Sequence, residues 1–300
     1  MRAWVQEALG RPMVLKEVPE PIPGPGEVLL EVEAVGLNFA DHLLRLGGYL
    51  TRVHPPFVPG MEAVGRVEGR RYAALMGHGG LAERVAVKEE ALLPLPEGLG
   101  LEEAAAFPVS FLTAYLALKG VPPGAWVLVQ AAGGALGTAA IQVAKTLGLR
   151  VVAAASRPEK LALAQGLGAD LASTYETLPE RVKELGGVEA ILEVRGKLEE
   201  SLGLLKPGGT LVYVGAAEGE VVPLNPLRLM RKNLTVRGFW LAPLLQDRPL
   251  LEEALGFLLP RLGQTLKPVV GQVFPFAEAE AAFQALLDRG HVGKVVVRVR

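Results

Sequence analysis

The chain has 300 residues, half of them hydrophobic and 21% charged, enough for one large or two ordinary domains with a sizeable core. Its 31 basic and 32 acidic residues leave a net charge of −1, and no basic block or basic helix points to nucleic acid or a lipid surface. Cysteine is absent, which excludes disulfides, iron–sulfur clusters, thiolate zinc sites and a cysteine nucleophile.

No apolar run reaches the ~18 residues of a membrane span. The opening MRAWVQEALGRP lacks the apolar segment of a signal peptide, so a cytoplasmic protein is expected. The four histidines, His42, His54, His78 and His291, show neither H-x-x-x-H nor H-E-x-x-H spacing, and no metal site is expected.

In chain order, the first hundred residues read as strand and turn. Strands are predicted over Glu27–Ala34, Ala63–Glu68 and Leu81–Val87, separated by the breakers PIPGPG (21–26) and PPFVPG (55–60). This is the pattern of an antiparallel β module. Near residue 107 the style changes, and from about Glu102 to Leu241 strands and helices alternate. Strands are predicted at Trp126–Gln130, Arg150–Ala155, Glu189–Val194, Gly209–Val214 and Leu234–Trp240, with a helix around Leu198–Leu205. That rhythm demands a parallel sheet with right-handed crossovers. Helices at Leu250–Leu262 and Ala277–Leu287 and a strand at Lys294–Arg300 close the chain.

The first alternating unit carries the main chemical signal. Its strand runs into AAGGALG, where Ala131, Gly134 and Gly137 stand at A-x-x-G-x-x-G spacing and Ala135 and Leu136 complete the turn. Small residues here let the chain turn sharply and let a pyrophosphate approach the N-terminus of the following helix. Strand before and helix after are the context that a dinucleotide site requires.

The second strand bears on which dinucleotide. NAD-binding units place Asp or Glu near its end to hold the ribose 2′-hydroxyl. Here the strand leads into Ser156 and Arg157, the first carboxylate is Glu159, and Lys160 follows. A hydroxyl and two cations accept a 2′-phosphate, whereas a carboxylate repels one, so NADPH is the expected cofactor. The same residues also read as a helix start, with Ser156 as N-cap, Pro158 in the first turn and Glu159 completing a capping box.

Taken end to end, the chain resembles the zinc-free quinone oxidoreductase (zeta-crystallin-like) branch of the medium-chain dehydrogenase/reductases. The resemblance rests on PGPGEVLLEVEAVGLNFAD (23–41), VPGMEAVGRV (58–67), GGLAERV (79–85), FLTAYLAL (111–118), the AAGGALG turn, LLKPGGTLVYVG (204–215) and GKVVV (293–297). It implies an α/β protein: a GroES-like β domain (1–107), a doubly wound Rossmann domain binding NADPH (108–241), and a return to the first domain (242–300). The cofactor is then expected in the cleft between the domains. A homodimer, paired through the edge of the Rossmann sheet with help from Val221–Met230, is expected by the same analogy.

Departures from zinc-dependent relatives point the same way. Those relatives carry Gly-His-Glu where this chain has Gly60-Met61-Glu62, and residues 67–81 are too few for a cysteine-rich zinc lobe. Methionine supplies no imidazole ligand, so an alkoxide-on-zinc route is closed. Glu62 reads better as a structural carboxylate than as a catalytic one.

Without a metal, the acceptor must itself be electrophilic: a quinone first, an α,β-unsaturated carbonyl or enoyl thioester second. A nucleotide-binding protein with little turnover is the reading from another class. By resemblance, Asn38 and Tyr49 face the nicotinamide and donate hydrogen bonds to the acceptor oxygen. Asp41, three positions after Asn38, reads as a cap. The resemblance also implies Thr113 near the carboxamide, Tyr175 beside the adenosine ribose or its phosphate, and Lys294 near the nicotinamide ribose or pyrophosphate. Gly215, Phe239, Trp240 and Leu241 stand at carboxyl ends of strands, where doubly wound folds bind ligands, and the resemblance implies that Val194, in Glu193-Val194-Arg195-Gly196, also meets the cofactor. Arg195 is unusual for its place in the pattern.

Overall fold

The computed structural model describes residues 1–215, 217, 224–288 and 290–300. The chain forms two compact units, Met1–Val109 with Leu259–Arg300, and Ser110–Leu258.

The first unit contains β1 (Arg2–Val5), β2 (Val14–Glu17), β3 (Glu27–Leu37), α1 (Phe39–Leu46), β4 (Glu62–Val67), β5 (Arg70–Leu75), β6 (Arg84–Lys88), β7 (Leu92–Pro94) and α2 (Leu101–Ala106). The later segment adds β14 (Val270–Pro275), α11 (Ala279–Leu287) and β15 (Lys294–Arg298). Between them, in the second unit, lie α3 (Pro108–Leu118), which begins at the boundary, β8 (Trp126–Val129), α4 (Ala135–Thr146), β9 (Arg150–Ala154), α5 (Pro158–Gly166), β10 (Leu171–Ser173) and α6 (Leu178–Glu184). They are followed by β11 (Val188–Glu193), α7 (Leu198–Leu204), β12 (Leu205–Tyr213), α8 (Pro226–Lys232), β13 (Thr235–Gly238), α9 (Leu241–Leu244) and α10 (Arg248–Leu258).

The first unit is built on a sheet of order β14-β15-β3-β4-β5-β7, with β6 also on β3. Its pairings are antiparallel except β14 with β15, which run parallel. Strand β3 is the spine. It alternates apolar residues inward, and Leu30, Val32, Val35 and Leu37 are buried with Val295 and Val297 of β15 and with Phe276 and Phe283. The last forty residues therefore complete the core begun by the first hundred.

Helix α1 is built unusually, for it buries Asp41 and Arg45 alongside Leu44. Arg45 is accommodated by partners from distant segments. Its Nη2 reaches both carboxylate oxygens of Glu280 in α11 at 2.9 and 2.8 Å, and its Nε donates to Gln6 at 2.8 Å. The guanidinium also lies 4.3 Å from the centre of the Phe283 ring. These contacts fix α1, and with it Asn38 at its N-terminus.

In the second unit a six-stranded parallel sheet has the order β10-β9-β8-β11-β12-β13. This is the doubly wound Rossmann order, with the direction of winding reversing between β8 and β11. Strands β8, β9 and β11 are almost wholly buried, which is why they read as continuous β-branched and alanine runs. The unit continues past Leu241 to Leu258, because α10 is held to α3: Tyr115 stacks on Phe257 and donates to Glu253 at 2.7 Å, and Lys119 binds the same carboxylate at 2.6 Å. Among the described residues no helix is long and apolar enough to cross a membrane.

Candidate functional site

The expected site residues fall into two clusters, one in each unit. In the second unit, β8 ends at Val129 and the chain turns through Ala131, whose φ of +48° is left-handed, before α4 starts at Ala135. Gly134 N–H donates to Ala131 O at 2.9 Å and closes the turn. A Cβ on Gly137 would stand 2.3 Å from Ala131 O and 2.7 Å from Ala132 Cα, so helix and turn meet at van der Waals contact only through glycine. Gly134 is the N-cap and has no side chain to satisfy the first-turn N–H groups of Ala135, Leu136 and Gly137. Donors and helix dipole together make an anion cradle.

At the end of β9 the cap differs from expectation. Arg157, not Ser156, is the N-cap of α5, with φ −130° and ψ 143° and no side-chain cap bond. The cause is Pro158 at the first helical position, since proline drives its predecessor out of the helical region. The shift leaves the side chains of Ser156 and Arg157 exposed, with no hydrogen bond or ion pair among the described residues. Lys160 is half-buried and lies across Gly133, where a Cβ would come within 2.6 Å of its Cγ.

Tyr175 ties these parts together. Its hydroxyl accepts the N–H of Ala131 at 2.9 Å and donates to Ala154 O at 3.4 Å. The Arg195 guanidinium lies 3.8 Å from the centre of its ring. Three residues overlooked in the sequence hold the loop that carries Arg195. The buried Glu193 carboxylate accepts the N–H groups of Arg195 (2.8 Å) and Gly196 (2.9 Å) and the Ser201 hydroxyl. Gln130 donates to Ser201 at 2.9 Å and accepts Val194 N–H at 3.3 Å, joining the loop to the end of β8. The E-x-x-G spacing at 193–196 was the available signal. A cavity of about 760 Å³ opens beside Gln130, Tyr175 and Arg195 and reaches Lys183 and Lys232, but its lining omits the glycine turn, Ser156 and Arg157.

The remaining expected cofactor residues spread over the same unit. Thr113 is buried in α3. Gly215 N–H reaches Glu193 O at 3.4 Å. Strand β13 stops at Gly238, short of the expected Trp240; Phe239 follows it, buried, with its N–H on Tyr213 O at 2.9 Å. Trp240 is the N-cap of the short α9 that begins at Leu241. Of the expected interface stretch, Val221, Val222 and Pro223 lie outside the described residues.

The first unit holds a buried polar array. Asn38 is the N-cap of α1 and half-buried. Its Nδ2 donates to Glu62 Oε1 at 2.8 Å and lies 3.5 Å from Gly36 O, while its Oδ1 accepts from Lys294 Nζ at 2.7 Å. Lys294 also pairs with Glu62, and both side chains are buried. Glu62 Oε2 accepts Val109 N–H at 2.9 Å. Lys294, expected near the nicotinamide ribose or pyrophosphate, has its ammonium on Glu62 and Asn38, with the side chain 1% exposed. Tyr49 lies beyond Gly47, the C-cap of α1, and is half-buried. An eight-residue helix of ~12 Å separates it from Asn38.

Asp41 completes the array. Its Oδ2 accepts Asn38 N–H at 2.9 Å, as a cap should, but Oδ1 is buried without a hydrogen-bond partner among the described residues. Burial, and secondarily the charge of Glu62, push its carboxyl up from 3.8 to about 6. The protonated acid is therefore favoured in the fold, and Asp41's contribution to stability falls as pH rises from about 4 to about 6, then levels off. The ionised group costs on the order of 3 kcal/mol at neutral pH. Asp41→Asn keeps an oxygen for Asn38 N–H and removes the charge. Its Tm should gain on the parent's as pH climbs from 4 to 6.5 and hold that gain above. A Tm difference that stays flat across this range would discard the explanation.

Among the described residues no group of three or more His, Cys, Asp or Glu stands ready for a metal ion. Two family models match the chain: "Zinc-binding dehydrogenase" over residues 135–258 and "Alcohol dehydrogenase GroES-like domain" over 24–74. Quinone oxidoreductase-like protein 2 of Bos taurus is 36% identical over 324 residues, covering 100% of this chain and 93% of its own. Among solved structures, the quinone oxidoreductase of Thermus thermophilus, determined also with NADPH, has a TM-score of 0.97 and 71% identity over 100% of both chains. The quinone oxidoreductase of Escherichia coli, complexed with NADPH, has a TM-score of 0.92 and 26% identity over 99% of each. A GroES-like unit joined to a Rossmann unit defines an oxidoreductase of the medium-chain dehydrogenase/reductase class. Within it, this chain belongs to the quinone oxidoreductase family.

Proposed function

We propose that the protein is an NADPH-dependent, metal-free reductase whose acceptor is a quinone. The observation that carries the reading is the pairing of a capless glycine turn with two side chains, Ser156 and Arg157, that no other described residue engages. The NADPH named for the relatives from T. thermophilus and E. coli supports it.

The residues fit that cofactor. First-turn N–H groups of α4 bind the pyrophosphate, and Ser156, Arg157 and Lys160 take the 2′-phosphate by charge-assisted bonds. Tyr175 braces the turn through Ala131, while Thr113, Val194, Gly215 and the 239–241 segment are assigned to the nicotinamide half. When bound, the nicotinamide supplies a hydride. Asn38 offers an amide hydrogen to the acceptor's carbonyl oxygen as charge develops there, and Tyr49 offers a phenolic one. Without cysteine, and with Met61 where a histidine ligand would stand, the chain leaves carbonyl polarisation to these donors. A homodimer is proposed from the exposed residues of the edge strand β13 and from Leu227 and Met230 of α8, which are 67% and 70% exposed.

The test follows NADPH oxidation by chelator-treated protein with a naphthoquinone, a 2-alkenal and NADH controls. Turnover of the naphthoquinone with preference for NADPH is expected. Turnover of the alkenal alone would reassign the enzyme to double-bond reduction, and tight NADPH binding without turnover of either would make it a binding protein. Sedimentation of the same sample should give twice the 31.8 kDa chain mass, and a monomer would refute the dimer.

A further inference from the structure

Asn38 is useful as a donor only if its amide points the right way. Turned by 180° about χ2, it would present oxygen, which repels the electron-rich oxygen of a carbonyl under reduction. Its two neighbours remove that freedom. An ammonium only donates and a carboxylate only accepts. Lys294 therefore holds Oδ1 at 2.7 Å, and Glu62 holds Nδ2 at 2.8 Å. In the reversed orientation Nδ2 would face the ammonium and Oδ1 the carboxylate, two repulsions in a buried site.

The neighbours themselves are immobilised. Glu62 Oε2 is held by Val109 N–H at 2.9 Å. Strand β3 presses against the pair so closely that a Cβ on Gly36 would stand 2.7 Å from Lys294 Cε and 2.9 Å from Glu62 Oε1. The Asn38 backbone is pinned by Asp41 through the 2.9 Å bond to its N–H. With one amide hydrogen on Glu62, the second has, among the described residues, only Gly36 O at 3.5 Å, the outer limit of a hydrogen bond.

We propose that Lys294 and Glu62 are positioning residues that lock the Asn38 amide with one N–H directed to the acceptor, a role resting on Asn38 being the acceptor's donor. The pair leaves substrate and cofactor untouched and acts through Asn38 alone.

The test is a double-mutant cycle. Glu62→Gln with Lys294→Met removes both charges together, so neither is left stranded, and the introduced glutamine amide pairs with either face of the Asn38 amide. In the otherwise unchanged protein this combination should lower kcat for a naphthoquinone about 10-fold while KM for NADPH stays within about twofold. In an Asn38→Ala background the same pair of changes should leave kcat within about twofold of Asn38→Ala itself. An equal loss in both backgrounds would reduce the array to a structural role and overturn the proposal. So would an undiminished kcat in the first. If Asn38→Ala alone keeps the parent kcat, the reading of Asn38 as donor falls, and the proposal with it. Should the double variant fail to fold, Glu62→Gln alone carries the same cycle with a loss of about threefold, since Lys294 still holds Oδ1.

Discussion

Gly137→Val should raise the Kd for NADPH by about a thousandfold or more, a loss of some 4 kcal/mol. The reason is geometric. Any Cβ at this position meets Ala131 O at 2.3 Å and Ala132 Cα at 2.7 Å, and both are backbone atoms that no side-chain rotation can clear. Ala131 is already held at φ +48°, so the turn has little slack to absorb the push. Relief must come by lifting α4 off the turn, which carries the first-turn N–H groups away from the pyrophosphate. The neighbouring Gly134 provides the contrast. Its φ is −80°, and a Cβ there would be 3.4 Å from Ala131 O, an ordinary contact. Gly134→Ala should therefore bind NADPH within about tenfold of the parent. Titration of NADPH fluorescence reads both variants, with circular dichroism reporting whether each is folded. If folded Gly137→Val binds like the parent, the glycine turn is not the phosphate site.

The contrast between these glycines also marks what can be read from sequence. The A-x-x-G-x-x-G spacing was legible, yet it ranks its members equally, whereas the close approach of helix to turn singles out Gly137. The parallel strands were legible because burial on both faces writes itself as unbroken runs such as WVLV at 126–129 and RVVAA at 150–154. Short strands with mixed faces, such as RRYAAL at 70–75, left no clear period. What no window reveals is pairing at a distance. Arg45 is buried because Glu280 stands 235 positions on, and Lys294 is paired with Glu62, 232 positions away. A lysine near the end of a cofactor-binding chain gives no hint in sequence of the carboxylate it pairs with. Met61-Glu62 shows the reverse case, since the missing histidine was informative from sequence alone, while the use made of Glu62 needed the fold.

The cap of α5 leads to the second large effect. Because Pro158 moves the N-cap to Arg157, the stretch at the end of β9 gives no side chain to helix capping, and both Ser156 and Arg157 remain for a ligand. Ser156→Asp combined with Arg157→Ser should lower the ratio of kcat/KM for NADPH over NADH by about a thousandfold. Losing the guanidinium removes a charge-assisted bond of about 1.5–3 kcal/mol to the 2′-phosphate. The new carboxylate adds repulsion to that phosphate and offers the ribose diol of NADH an acceptor. Neither change should weaken the fold. Serine is a better N-cap than arginine, and an acid just before α5 suits the positive end of its dipole. Tm should hold or rise, which separates a change of preference from a damaged protein. Lys160 stays in place, because it packs across Gly133 and its removal would disturb the turn as well as the charge. A variant that keeps both its Tm and the parent's preference would mean that the 2′-phosphate is read elsewhere. Lys160 beside the turn would then be the residue to change next.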